Sequence, residues 1–167
     1  MPNKKGFTII EVIIAVFVIT VGVGAAVILI SQTIGLVNTT SSKLIASYLA
    51  QEGIEIVRNI RDGNFLILAS EPATIWTDNI LDVGCPSNVY EADYLSQTLS
   101  CISGTGQKLK VDSNYYNYLS GSETNFIRKI IINPDVDKID VLVEVSWQDK
   151  GSINKVTAQA NLYDWWE

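Results

Sequence analysis

The chain has 167 residues, with 18 acidic and 12 basic side chains and a formal net charge of −6. That length fits one domain of ordinary size, and that charge argues against nonspecific nucleic-acid binding, which needs a basic footprint. Histidine is absent, which removes the commonest general base and the commonest metal ligand.

At the N-terminus, Lys4 and Lys5 precede an apolar run from Phe7 to Ile30 whose single charge is Glu11. As a helix rising about 1.5 Å per residue, the run crosses a bilayer core of about 30 Å. The positive-inside rule keeps the lysines cytoplasmic and puts the remainder outside. A secretory signal would have a shorter apolar core followed by a small-residue cleavage site. Here the run passes unbroken into Ser31-Gln32-Thr33 and a longer helical pattern, so the apolar segment is expected to be retained. Glu11 is its informative residue. A carboxylate at the centre of a membrane helix costs about 2.5–3.5 kcal/mol. It therefore needs a partner or a role, unless it lies near the membrane edge and reaches water.

Past Ile30 the pattern turns amphipathic. Leu44, Ile45, Tyr48, Leu49, Ile56, Val57 and Ile60 recur at spacings of three and four, with Glu52, Glu55, Arg58 and Arg61 mostly between them. The helix is expected to run from Phe7 to about Asp62, with Gly63 as a left-handed cap. Residues 64–125 are rich in Ser, Asn, Thr and Gly, and predict loops, short helices and an extra hairpin. Cys85 and Cys101 lie here. They lack metal-site spacing, and an even count outside the cytoplasm suits one disulfide; two free buried thiols are the alternative.

The C-terminal third alternates. Phe126 to Ile132 reads as a strand. In 139–147, Ile139, Val141, Val143, Val145 and Trp147 share one face, and Val156, Ala158, Ala160 and Leu162 alternate with polar residues. Asn133-Pro134-Asp135 and Asp149-Lys150-Gly151 supply turns, giving a three-stranded antiparallel meander. Its apolar face needs a cover, and the stripe of residues 44–60 is the candidate.

Other features carry bland readings. Asp135, Asp137 and Asp140 lack the pattern of a calcium loop and read as a solvated turn. Trp165-Trp166 reads as a ring packed at the sheet edge, or an exposed contact. Asn38-Thr39-Thr40 is a chance sequon on a helix, and Tyr115, Tyr116 and Tyr118 read as loop anchors or as a ligand surface. No constellation suggests catalysis, and no cofactor is implied.

At Lys4-Lys5-Gly6-Phe7-Thr8-Ile9-Ile10-Glu11, followed by the long apolar helix, the chain resembles the type IV prepilin and type II secretion pseudopilin superfamily. Ile139 to Trp147, Lys155-Val156-Thr157 and Leu162 to Trp165 look like the last strands of minor pilins and I-type pseudopilins. Many major pilins carry a proline in the membrane half of this helix; this chain has none there, and Gly22 and Gly24 stand where the helix would soften.

The resemblance implies an α+β pilin fold: leader 1–6, membrane and filament-core half 7–30, amphipathic half 31–62, and a globular head 63–167. It implies cleavage between Gly6 and Phe7 by a prepilin peptidase and N-methylation of Phe7, which makes Glu11 the fifth residue of the mature chain. The freed Phe7 amine would neutralise Glu11 of a neighbouring subunit, a pairing useful for register. The implied partners are the peptidase and N-methyltransferase, other pilin or pseudopilin subunits, an assembly platform and membrane lipid, with no direct nucleic acid. The implied location is the bacterial cytoplasmic membrane as a single-pass protein with its head outside, then an extracellular or periplasmic filament. The expected role is a non-enzymatic structural subunit. The alternatives are a DNA-uptake or adhesion head on the same anchor, and an uncleaved single-pass membrane protein.

Overall fold

A computed structural model describes residues 6, 8–71, 73–81, 84–102, 104–149 and 151–165. The chain falls into two units, Met1–Ser41 and Ser42–Glu167, and helix α1 (Ile9–Leu68) contributes to both.

In the first unit, every Val, Ile, Leu and Phe from Ile9 to Val37 is more than half exposed. An 18-residue window of α1 has a mean hydropathy of 3.0 and none of it is buried, so the helix is long and apolar enough to cross a membrane. Three of its hydroxyls turn back on the helix itself. The hydroxyls of Thr20, Ser31 and Thr33 donate to the carbonyls of Phe17 (2.9 Å), Val27 (3.0 Å) and Leu29 (2.8 Å). Such internal bonds keep these three donors satisfied in an apolar surrounding.

In the second unit, the α1 segment from Ser42 packs on an antiparallel sheet. Its strands are β1 (Val89–Glu91), β2 (Ser100–Cys101), β3 (Lys108–Asp112), β4 (Tyr115–Asn117), β5 (Ser122–Pro134), β6 (Lys138–Asp149) and β7 (Ser152–Tyr163). β5 is the spine. One edge pairs with β6 from Phe126↔Trp147 to Pro134↔Ile139, while the other takes β3 towards its start and β1 at Ile130 and Ile131. β6 pairs with β7 without interruption from Lys138↔Tyr163 to Asp149↔Ser152. The C-terminal meander thus has the antiparallel order its alternation implies, and Ile139, Val141, Val143, Val145 and Trp147 are buried together. The 64–125 stretch holds the β3–β4 hairpin and short strands, with no α-helix beyond the end of α1 among the described residues.

The structure departs from the sequence reading at two places on α1. First, the helix does not stop at Asp62. Gly63 stands inside it, and it ends at Leu68. The extra turns are held by what they bury. Phe65 is buried, stacked on Trp76 with ring centroids 6.4 Å apart. Asn64 Nδ2 donates to the carbonyls of Trp76 (3.0 Å) and Asp78 (2.6 Å). A helix ended at Gly63 would forfeit both. Second, Leu44 and Tyr48 face solvent, and the face turned to the sheet is made by Ala46, Leu49, Ala50, Gly53, Ile54 and Val57. Small residues win there because they let the helix axis come close to the sheet.

Gly53 marks a close approach of α1 to the sheet. A Cβ there would lie 2.8 Å from Val143 Cγ1 and 3.3 Å from Arg128 Cδ. Gly121 is a second requirement, since its φ is 104° and a Cβ would meet the Val111 carbonyl oxygen at 2.2 Å. The substitution Gly53→Leu is therefore expected to destabilise the head by about 1–3 kcal/mol or more. Thermal unfolding followed by near-UV circular dichroism checks this, and an unchanged midpoint would contradict the close packing.

Candidate functional site

α1 begins with a built N-terminus. The Thr8 carbonyl accepts from the N–H groups of Glu11 (3.1 Å) and Val12 (3.2 Å), and Thr8 Oγ1 also lies 3.4 Å from Glu11 N. A threonine in this position caps the helix, and an acidic residue in the first turn opposes the positive end of the helix dipole. Glu11 is exposed, and its carboxylate has no hydrogen-bond or ion-pair partner among the described residues. Gly6 is exposed, with nothing within 4 Å of a Cβ placed on it. Phe7 lies outside the described residues.

The head is organised around a buried charge. Arg128 is 0% exposed, on the inner face of β5 among Phe126, Ile130 and Ile132. Its Nη1 donates to Glu52 Oε2 (2.9 Å) and to the Leu49 carbonyl (3.2 Å), both on α1. Its Nη2 donates to the Ala92 carbonyl (2.5 Å), just after β1. A guanidinium offers several donors in a planar fork, so a single side chain ties three segments together. Nearby, Glu91 accepts from Gln107 N (3.3 Å) and Gln107 Nε2 (3.0 Å), and Asp93 Oδ2 accepts from Tyr118 N (3.2 Å). Burial pushes the Tyr118 hydroxyl up to about 12; Arg128 opposes that shift, and Glu91 and Asp93 add to it.

The remaining sequence candidates are dispersed. Cys85 and Cys101 are joined as a disulfide with Cα atoms 5.6 Å apart, which ties β2 to the segment before β1. A loop of this size is worth about 3 kcal/mol in the chain-entropy account. In the β5–β6 turn, Lys138 Nζ lies 2.9 Å from Asp140 and 3.8 Å from Asp135, so a lysine occupies that acidic turn. Asn38-Thr39-Thr40 sits within α1, and Thr39 Oγ1 donates to the Gly35 carbonyl (3.2 Å). Trp165 packs on Phe65 of α1 at 4.7 Å while staying 57% exposed, and Trp166 lies outside the described residues. Tyr115 leans on Tyr94, and Tyr116 meets Phe126 edge-on.

Sequence reading passed over Arg128 and Gly53. The signal for Arg128 was its parity: it shares the inward register of Phe126, Ile130 and Ile132, and a charge placed there has to be paired. Gly53 gave no such signal, because a glycine in a helix marks a close approach only once the approaching surface is known.

Together these features describe an apolar, membrane-capable helix leading into an α+β head. Residues 1–27 match the family described as the prokaryotic N-terminal methylation motif. That match supports the type IV prepilin and pseudopilin superfamily, and the long helix packed on a C-terminal antiparallel sheet is consistent with a pilin fold. The motif supports a processed, pilin-like subunit anchored by its N-terminal helix, in a family whose role is structural. No curated protein and no solved structure gives a significant match.

The raised Tyr118 value has a signed consequence. The unfolded hydroxyl loses its proton near 10.0 and the folded one near 12, so the native state holds more protons between those values. Its stabilising contribution is complete below pH 10 and is lost as pH rises towards 12. Urea midpoints are expected to fall across that window and to fall less steeply in Tyr118→Phe. Parallel slopes for the two proteins would contradict the assignment.

Proposed function

We propose that this chain is a minor pilin or pseudopilin, a structural subunit of a type IV pilus-like filament. On this reading residues 1–6 are the leader and 7–30 the membrane and filament-core half of the helix; its amphipathic half starts at 31 and runs on to the helix end at Leu68, and the remainder of the chain completes the head. A prepilin peptidase cuts between Gly6 and Phe7, and the new Phe7 amine is N-methylated. The protein waits in the bacterial cytoplasmic membrane with its head outside. It then joins other pilin or pseudopilin subunits through an assembly platform.

The observation that carries this reading is Glu11, an exposed carboxylate at the start of an apolar helix with no partner of its own among the described residues. Lipid penalises such a group by about 2.5–3.5 kcal/mol near the bilayer centre, less towards its edge. A neighbouring subunit's terminal amine, four residues before its own Glu11, supplies the missing charge when helices stack with an axial offset. The match over residues 1–27 supports the processing that creates this amine. Exposure of the large apolar side chains described from Ile9 to Val37 supports packing against sister helices.

Three measurements test the reading. The mass of the mature N-terminus is expected to show a chain that begins at Phe7 and carries one added methyl group; a chain that still begins at Met1 would overturn the proposal. Gly6→Val is expected to leave an uncut precursor. Glu11→Leu is expected to be processed and retained in the membrane yet to enter filaments at least about tenfold less often. Normal incorporation of that variant would refute the pairing.

A further inference from the structure

A second apolar stripe runs along α1, apart from the one that meets the sheet. Polar side chains dominate residues 31–48, among them Ser31, Gln32, Asn38, Thr40 and Lys43. Set in that background, Ile34, Val37, Leu44 and Tyr48 are each more than half exposed. With Ser41 between Val37 and Leu44, they follow one another at spacings of three and four, the a and d positions of a heptad. Counting back from Ile34 by the same steps lands on Ile30, Val27, Val23, Thr20, Val16 and onward to Ile9, and every apolar member is again more than half exposed.

Within the head, the residues that turn to the sheet hold other positions of this count. Ala46 and Gly53 stand at f and Ala50 at c, away from Leu44 and Tyr48. The a and d positions change character past Tyr48. Gln51, Glu55 and Arg58 take the next d, a and d places, and Glu55 and Arg58 form an exposed ion pair. A surface meant only for water has no cause to be apolar up to Tyr48 and ionic directly beyond it. Lipid does not account for the whole stripe either, because about 20 residues from Phe7 cross a bilayer and Ile34 lies past that span.

The charges select the partner. In a parallel helix pair, a and d form the seam and e and g flank it. Identical chains bring identical charges together there, and like charges across a seam repel. Between Ile9 and Tyr48 the charged side chains are Glu11 at f and Lys43 at c, both away from the seam and its flanks. Gly24 at e and Ala26 at g are small enough to let two backbones come close in lipid. Chains anchored by the same signal share one orientation, which makes the pairing parallel. In register, Thr20 meets Thr20 and Ser41 meets Ser41. A slip of one heptad sets Thr20 against Val27 or Ile13, and Ser41 against Ile34 or Tyr48.

We propose that the stripe from Ile9 to Tyr48 pairs with the same stripe of a second copy of this chain, parallel and in register, in the membrane before assembly. The inference rests on the anchored reading above and adds a state to it. The pair differs from the axially offset stacking of a filament. Glu11, at f, lies off the seam and stays available to a neighbour's terminal amine.

The test uses the full-length protein in the bacterial cytoplasmic membrane, expressed without other pilins or an assembly platform. Both natural cysteines are held in the Cys85–Cys101 disulfide, so one added thiol reports contact. Val37→Cys and Leu44→Cys place it on the stripe; Gln32→Cys and Leu36→Cys place it off. On mild oxidation the stripe variants are expected to give at least about tenfold more cross-linked dimer than the off-stripe variants. Two copies of different size, one Val37→Cys and one Leu44→Cys, report the register, since an offset of one heptad, about 10.5 Å, would join position 37 to position 44. That mixed product is expected to fall well below the product of Val37→Cys with itself. Equal yields on and off the stripe, or no dimer at either stripe position, would overturn the proposal. So would a mixed product that exceeds the in-register one. These readouts are separate from the mature N-terminal mass, which reports cleavage alone.

Discussion

A guanidinium shut away from water dictates much of how the head is put together. Arg128 has to find acceptors within the fold, and it finds them on α1, just after β1, and nowhere in bulk solvent. Removing one partner of such a buried pair usually costs about 3–5 kcal/mol, because the other charge is left uncompensated. The pose of the helix on the sheet is therefore tied to the reach of one side chain. Gly53 belongs to the same constraint. Arg128 Cδ and Val143 Cγ1 fill the space a side chain at 53 would need, so the helix settles close and the carbonyl of Leu49 comes within reach of Nη1.

The two units answer to different solvents. The head has a core drawn from helix and sheet, with Val141, Val143, Val145, Ile130 and Ile132 fully buried. The described residues up to Ser41 have no such core, and their large apolar side chains stand exposed along the run. A helix of this kind gains little from its own side chains in water. It needs lipid or other helices around it, and the hydroxyls of Thr20, Ser31 and Thr33, bonded to their own backbone, suit it to either. The capped start at Thr8 satisfies the Glu11 N–H while its carboxylate stays open, so the first turn is locally stable and chemically unfinished.

Legibility followed the range of the interactions. The apolar run, the lone Glu11 within it and the alternation in 139–147 and 156–162 are local patterns, and each could be read by counting along the chain. The meander register followed too, because a shift by one residue would have turned Val141, Val143 and Val145 to solvent. Helix length was misread at Gly63, since the force that carries α1 on to Leu68 comes from Trp76 and Asp78, residues in a loop with no period of its own. Leu44 and Tyr48 were assigned to the wrong face because apolarity alone does not say which of two adjacent stripes a sheet will cover.

Composition and periodicity were enough to read a membrane-capable apolar helix with an acidic residue in its first helical turns, and a sheet with one apolar side; the expectation of processing at the N-terminus came from the resemblance at residues 4–11. Those properties depend on neighbours within a few residues, where chain geometry alone sets the spacing. Three-dimensional packing settled the rest: that an arginine lies inside, that a glycine and two alanines stand among the residues of the contact stripe, and that tyrosines from a helix and a hairpin share one groove. Each of these joins residues tens of positions apart, and no local rule states which distant surface a side chain will meet.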